Sequence, residues 1–432
     1  MAIREIRDFF ASLSASEKFA IAAILLFVFL FFNPVIVGDG FGYYATLEGV
    51  ARYNSLDLEH GARFNEIAKT VFVDQNPRTG QYYSKYSPGL SLFSIPLYAV
   101  SLFLDDFEIF HIKDALFLER GGDILVRMIA LPLTSSLFFL AGLFVTIIVL
   151  RKFFSQKETS LALLIAFFST PIIWWATYGA SYSHAMEAGL FALLVFFVLQ
   201  KKENPYLVGA AIGLLAITRY TNGIFILPFL VHYFLRGEYQ KIKGVLLGFA
   251  PFVIGILVYF QIQFGNPFTS GYENGFFPLP IFIFHILVDP SRGILFWTPT
   301  ILVSIAGLYY LRHEKKFLLM SLFFLNLLVY SAWHDWHSAW SFGNRFFAHF
   351  FILYCLGTAA LLKYKSELRW LVYFAAIYGF VLAVLFFAQV GFVSEPFDFV
   401  QTVQYWLSDG NIFSLPEKFF NKVSLVRFVT ET

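Results

Sequence analysis

The sequence predicts an all-α polytopic membrane protein: a bundle of about eleven transmembrane helices, with interfacial helices in a long first outer loop. Three observations carry that expectation. Hydrophobic residues make up 58% of the chain and charged residues 14%, against roughly 45–50% and 25% in soluble domains. Phe, Tyr and Trp supply 20% of all positions, more apolar surface than a soluble fold of this size hides. Uncharged runs recur along the whole chain. The same composition disfavours disorder, collagen, coiled coil and nucleic-acid binding, and an aromatic-rich helical bundle in lipid is what remains.

The first run, Phe19 to Gly38, follows Arg4, Arg7 and Lys18. It is long enough to span a bilayer, too long for a signal-peptide core, and lacks an A-x-A-like cleavage site, so it reads as an uncleaved signal anchor. Further runs lie near 125–150, 159–181, 183–200, 206–218, 220–235, 244–263, 293–311, 317–333, 346–362 and 370–390. Two of these are short. Arg219 is the sole charge between Pro205 and Leu235, and two short helices meeting at Arg219 explain that stretch better than one very long one.

Orientation follows from Lys and Arg. With a cytoplasmic N-terminus, the inside segments hold 17 of the 31 basic residues but 8 of the 29 acids. They include Arg151/Lys152/Lys157, Lys201/Lys202, Arg236/Lys241/Lys243, Arg312/Lys315/Lys316 and Lys363/Lys365/Arg369. The inside is then net positive and the outside net negative in one register. The whole-chain net charge of +2 says nothing about partners, and the single Cys355 excludes an internal disulfide.

The expected membrane domain covers 1–392, with an outer loop at 38–123 and a short extracytoplasmic tail at 393–432. The first loop opens on GDGFGYY, continues through DQNPRTGQYYSKYSPG, and carries an apolar stretch at 89–104 with an internal proline, read as a helix lying at the outer interface. The inside loops are short and hold no Gly-rich phosphate loop or metal cluster. No internal repeat suggests transporter halves.

Candidate functional residues all fall on the outer side. Asp39 directly follows the first span between Gly38 and Gly40, with Tyr43 and Tyr44 beyond. A carboxylate there is either a general base aimed into a cavity or a solvated helix stop. Lys85 can reach a lipid phosphate or be an ordinary interfacial lysine. His184 and Glu187 are one helical turn apart and share a face, as a cavity wall or as a structural polar pair. Arg219 needs an anion, either a lipid-linked phosphate or an acid such as Glu187. Arg292 and Arg345 each open a span. In WHDWHSAWSFGNR, His334, Asp335 and His337 have possible metal-ligand spacing, with substrate contact or a solvated aromatic belt as the other readings. Cations of this kind hold a lipid phosphate and stabilise it as a leaving group.

With those residues in place, the sequence resembles the GT-C membrane glycosyltransferases, in the bacterial branch near protein O-mannosyltransferases and the lipid A aminoarabinose transferase. The likeness extends to about residue 365. Asp39 matches the family's catalytic Asp after the first span. Lys85-Tyr86-Ser87-Pro88 loosely matches its Lys-Pro-Pro turn, and Thr218-Arg219 its Thr-Lys-Gly-like element. The resemblance implies a polyprenyl-phosphate sugar donor, an envelope acceptor (lipid, glycan or protein), membrane lipids as surroundings, and transfer at the extracytoplasmic face of the bacterial inner membrane. It implies Asp39 as general base, donor phosphate held by Lys85, Arg219, Arg292 and Arg345, and substrate contacts from Tyr43, Tyr44, His184, Glu187, His334, Asp335 and His337. No metal or other cofactor is expected to be required. The competing expectations are a lipid-linked sugar flippase or transporter and a non-catalytic assembly subunit.

Overall fold

The computed structural model describes residues 9, 11–68, 70–106, 125–272, 275–337, 341–389, 399–409 and 412–420. The acidic return of the first loop, at 107–124, and much of the C-terminal tail lie outside the described residues.

Each of the eleven apolar runs is helical over most of its described length. The main helices are α1 (Ala15–Phe31), α2 (Gly40–Tyr53), α3 (Gly89–Asp106), α4 (Ala130–Leu150), α5 (Gln156–Phe168), α6 (His184–Val198), α7 (Pro205–Thr218), α8 (Ile226–Leu235), α9 (Tyr239–Phe264), α10 (Pro299–Leu308), α11 (Lys316–Ser331), α12 (Phe351–Tyr364) and α13 (Arg369–Gln389). Local sequence sets their starts. Ser14 and Ser155 each form a capping box with a glutamate three residues on, Glu17 and Glu158, satisfying two of the free amide donors at each helix start. Asn204 caps α7 ahead of Pro205, a proline position that needs no donor.

Among the described residues, four helical stretches are long and apolar enough to cross a membrane: Ala130–Leu150, Tyr239–Phe264, Arg345–Tyr364 and Ser366–Gln389. The protein is an integral membrane protein on that ground. The other apolar helices are shorter. The reason lies at their ends. α7 stops because Arg219 takes an extended backbone conformation, and a 3-10 turn, Tyr220–Phe225, follows. α1 ends at Phe31, and α6 begins only at His184. Non-helical backbone at membrane depth is tolerated where protein or a cavity surrounds it, and these breaks surround one cavity.

The bundle is built around α12, whose residues Phe351 to Leu362 are all buried. α10 and α5 pack on α12, α6 on α4, and α7 along α9. α9 lies at the periphery with most of its surface exposed. The basic turns come together and pair with acids. Arg151 meets Glu17 at 3.0 Å, Arg236 meets Glu314 at 2.9 Å, and Glu203 takes Lys315 at 3.1 Å and Lys241 at 3.3 Å.

The first loop is more ordered than its glycines suggest. Within GDGFGYY, Gly40 opens α2, which runs fourteen residues. A two-residue antiparallel pairing, Asp74 opposite Tyr83 and Gln75 opposite Tyr82, follows. The described part of the tail folds back on the bundle: Trp406 donates to Gln389 at 3.0 Å, and Phe419 packs on Phe31.

Candidate active site

Asp39 sits in the turn between α1 and α2, at the N-terminal edge of α2. Its backbone carbonyl accepts from Gly42 and Tyr43, but its side chain makes no capping bond. The carboxylate instead reaches into a cavity of about 500 Å³. Tyr86 donates its hydroxyl to Oδ1 at 3.0 Å, and Arg345 Nη1 lies 3.2 Å from Oδ2. Two glycines make this possible. Gly38 has φ +50, and a Cβ there would fall 1.9 Å from the Tyr182 hydroxyl; a Cβ at Gly42 would fall 2.2 Å from the Tyr86 ring. Glycine is therefore the residue that lets both tyrosines close on Asp39. Burial, with Asp39 adding to it, pushes the Tyr86 phenol well above its ordinary range, so it stays a donor.

Three cations share the cavity with Asp39: Lys85, Arg219 and Arg345. Their surroundings differ. Lys85 lies half-buried with Nζ 5.6 Å from the ring centres of Tyr86 and Tyr272, and makes no ion pair among the described residues. Arg219 lies over the Phe346 ring at 5.2 Å, and its Nη1 donates to His184 Nδ1 at 3.0 Å. Arg345 is bound to Asp39. The walls are aromatic: Tyr43, Tyr182, Tyr220, Tyr272, Tyr330, Trp333 and Phe346. Tyr330 stacks on Phe346 with centroids 3.9 Å apart and bonds Thr221 at 2.7 Å.

Glu187 stands behind this wall, fully buried. Its Oε1 accepts from Ser183 at 2.5 Å and lies 3.6 Å from Arg219 Nη1; its Oε2 lies 3.4 Å from Asn222 Nδ2 and 3.7 Å from His349 Nδ1. Tyr43 bonds the same Ser183 at 3.2 Å, and burial pushes its phenol up to about 12. The buried acid thus balances Arg219 from the side away from the cavity.

The site residues expected from sequence divide accordingly. Asp39, Tyr43, Lys85, Arg219, Asp335 and Arg345 line the cavity. His184 and Glu187 form its backing and do not line it. Tyr44 does not reach it: adjacent positions on a helix point about 100° apart, and Tyr44 packs on Phe64 and Tyr98 while Tyr43 takes the cavity side. Arg292 is also elsewhere, over the Trp297 ring with Nη1 donating to the Ser291 carbonyl. His334 turns its ring nitrogen to the Gly275 carbonyl, and His337 is half-exposed and paired with Asp335 at 3.2 Å. Among the described residues no group of three or more His, Cys, Asp or Glu comes together to hold a metal ion. Sequence reasoning missed Tyr86, Tyr182, Tyr272 and Tyr330. The sole signal for them was the placing of Tyr86 beside Lys85 and of Tyr182 beside the His184 turn.

The chain is similar to ArnT from Cupriavidus metallidurans. Against a crystal structure of ArnT in the apo state the TM-score is 0.49 at 13% identity, covering 96% of this chain and 75% of that one. Against ArnT bound to undecaprenyl phosphate the TM-score is 0.48 at 12% identity, covering 97% of this chain and 76% of that one. No protein-family model and no curated protein matches the sequence.

Proposed function

We propose that this chain is an integral membrane glycosyltransferase of the GT-C type that moves a sugar from a polyprenyl-phosphate donor to an envelope acceptor. One observation carries the reading: a single aromatic cavity joins a carboxylate outside its helix cap to an unpaired lysine and an arginine. In this reading Asp39 takes the proton of the acceptor group. The acceptor attacks the anomeric carbon through an oxocarbenium-like state. The bond from that carbon to the phosphate oxygen breaks, and its electron pair leaves with the polyprenyl phosphate. Lys85 and Arg219 stabilise the charge that grows on that phosphate. The transferred group is a hexosyl or pentosyl unit. Tyr43, Tyr182 and Trp333 offer flat faces for the sugar ring.

In this reading the end that carries the basic turns faces the cytoplasm, as the positive-inside rule favours, and the cavity opens at the extracytoplasmic face of a bacterial inner membrane. The membrane domain then covers 1–392, with an outer loop at 38–123 and the tail at 393–432.

The test uses the full-length protein in nanodiscs, a panel of polyprenyl-phosphate sugars and a cell-envelope extract, with released polyprenyl phosphate quantified by mass spectrometry. Release with one donor class supports the reading. A protein that binds these donors and moves them across the bilayer without release is a flippase. One that does neither is a scaffold.

A further inference from the structure

Asp39, with Ser183 and Thr298, is one of the helix-start residues whose side chain makes no capping bond. Ser14, Ser155, Asn204 and Asn344 all spend their side chains on a backbone amide of the helix they precede, as such residues normally do. Asp39 does not. Its carboxylate has two protein partners, one on each oxygen: Tyr86 on Oδ1 and Arg345 on Oδ2. Each oxygen accepts two hydrogen bonds when ionised, so one position on each is left for a substrate.

Both partners are themselves held. Tyr86 is buried, packs on Tyr43 with ring centres 5.2 Å apart, and fits into the space left by Gly42. Arg345 opens a buried 3-10 turn and lies against the rings of Tyr182 at 5.6 Å and Phe346 at 5.5 Å. Asn344, next to it, caps that turn and donates to the Trp336 carbonyl at 2.9 Å. The carboxylate is therefore fixed by rigid groups from two distant parts of the chain.

The charges also divide. Arg219 has Glu187 behind it and keeps its cavity side for a ligand. Lys85 has no acid. Arg345 would have to leave the base to hold a phosphate through the same nitrogen.

We propose that Arg345 and Tyr86 are positioning residues that aim Asp39 at the acceptor, and that the donor phosphate is held by Lys85 and Arg219 without Arg345. The inference rests on the transferase reading above and reassigns Arg345 within it. Fixing a reactive carboxylate at two points raises the rate of the chemical step and leaves donor affinity unchanged.

The experiment measures two quantities on full-length protein in nanodiscs: Kd for polyprenyl phosphate, and kcat for release from the sugar-linked donor. The variants are Arg345→Gln, Arg345→Lys and Tyr86→Phe. Arg345→Gln is expected to lower kcat about 100-fold with Kd within about threefold, because displacing a catalytic group by about 1 Å costs that much. Arg345→Lys recovers part of the loss, and Tyr86→Phe lowers kcat about tenfold. The rival assignment puts phosphate on the Arg345 Nε, which has no acceptor. It predicts instead a Kd raised at least tenfold, which overturns the proposal, as does an unchanged kcat. Tyr86→Phe keeps the buried ring and decides the matter should Arg345→Gln fail to fold. Absence of release by the wild type removes the transferase reading and this inference together; release by the wild type with a weakened donor Kd in Arg345→Gln removes this inference alone.

Discussion

Replacing Glu187 with glutamine isolates the one acid that balances Arg219. The change keeps the shape of the side chain and the bond from Ser183, removes the charge, and sets an amide nitrogen where Oε2 accepts from Asn222. At 3.6 Å and an effective dielectric near 20, the attraction amounts to about 4–5 kcal/mol. Glutamine escapes the desolvation that a buried carboxylate suffers, which offsets part of that loss. Arg219 also keeps 17% of its side-chain surface open and retains His184 and the Phe346 ring. The net cost is expected at about 2–3 kcal/mol, below the 3–5 seen for fully enclosed pairs. A bound phosphate replaces the missing charge. At about 100 times Kd, polyprenyl phosphate stabilises the wild type by about 2.7 kcal/mol, and it is expected to stabilise Glu187→Gln by more. Thermal unfolding in nanodiscs, with and without polyprenyl phosphate, reads both effects. Unfolding at the wild-type temperature, or an equal gain from the lipid in both proteins, would falsify the assignment of Glu187 as the counter-charge.

Three further predictions follow from particular residues. Lys85→Ala is expected to weaken polyprenyl phosphate binding about 10- to 100-fold, the worth of one charge-assisted contact, with Lys85→Arg close to wild type; a titration checks this, and an unchanged Kd speaks against Lys85 as a phosphate ligand. Arg292→Ala is expected to lower the unfolding temperature while leaving that Kd unchanged, since its guanidinium packs on Trp297 outside the cavity; weakened binding at full stability would return Arg292 to the site. His60, half-buried with its ring on Tyr53 and Nε2 beside the Ala45 carbonyl, has its pKa lowered chiefly by burial. The unfolded chain therefore takes up the His60 proton first as pH falls below about 6.5, and the stability His60 contributes is present above that value and lost on descending through the folded pKa. His60→Gln should accordingly lose less stability than wild type between about pH 7.5 and 5.5, and an identical loss contradicts the shift.

Much of the fold is readable in the sequence because charge is so scarce in it. Clusters of Arg and Lys mark most of the turns between the long helices, and the two capping boxes mark helix starts directly. Four of the cavity's charged groups, Asp39, Lys85, Arg219 and Arg345, stand out for the same reason. The tyrosines do not. With 23 Tyr and 57 Phe in the chain, one more aromatic carries no signal, and Tyr86 gains its meaning only when the fold brings it to Asp39. The Glu187–Arg219 pairing was one of two readings of Arg219, and the structure supplies the geometry that a single sequence lacks. Tyr44 and Arg292 were assigned by proximity along the chain, whereas helix rotation and the Asp289–Arg292 turn aim them away. Gly38 and Gly42, near Asp39, serve as room for Tyr182 and Tyr86.

The most direct test of the central claim compares wild type with Asp39→Asn in one donor-release assay, after confirming that both bind polyprenyl phosphate equally. The account predicts release by the wild type and a loss of at least about 100-fold in the variant, with binding unchanged. Equal release by the two proteins would contradict it and remove Asp39 from the chemistry.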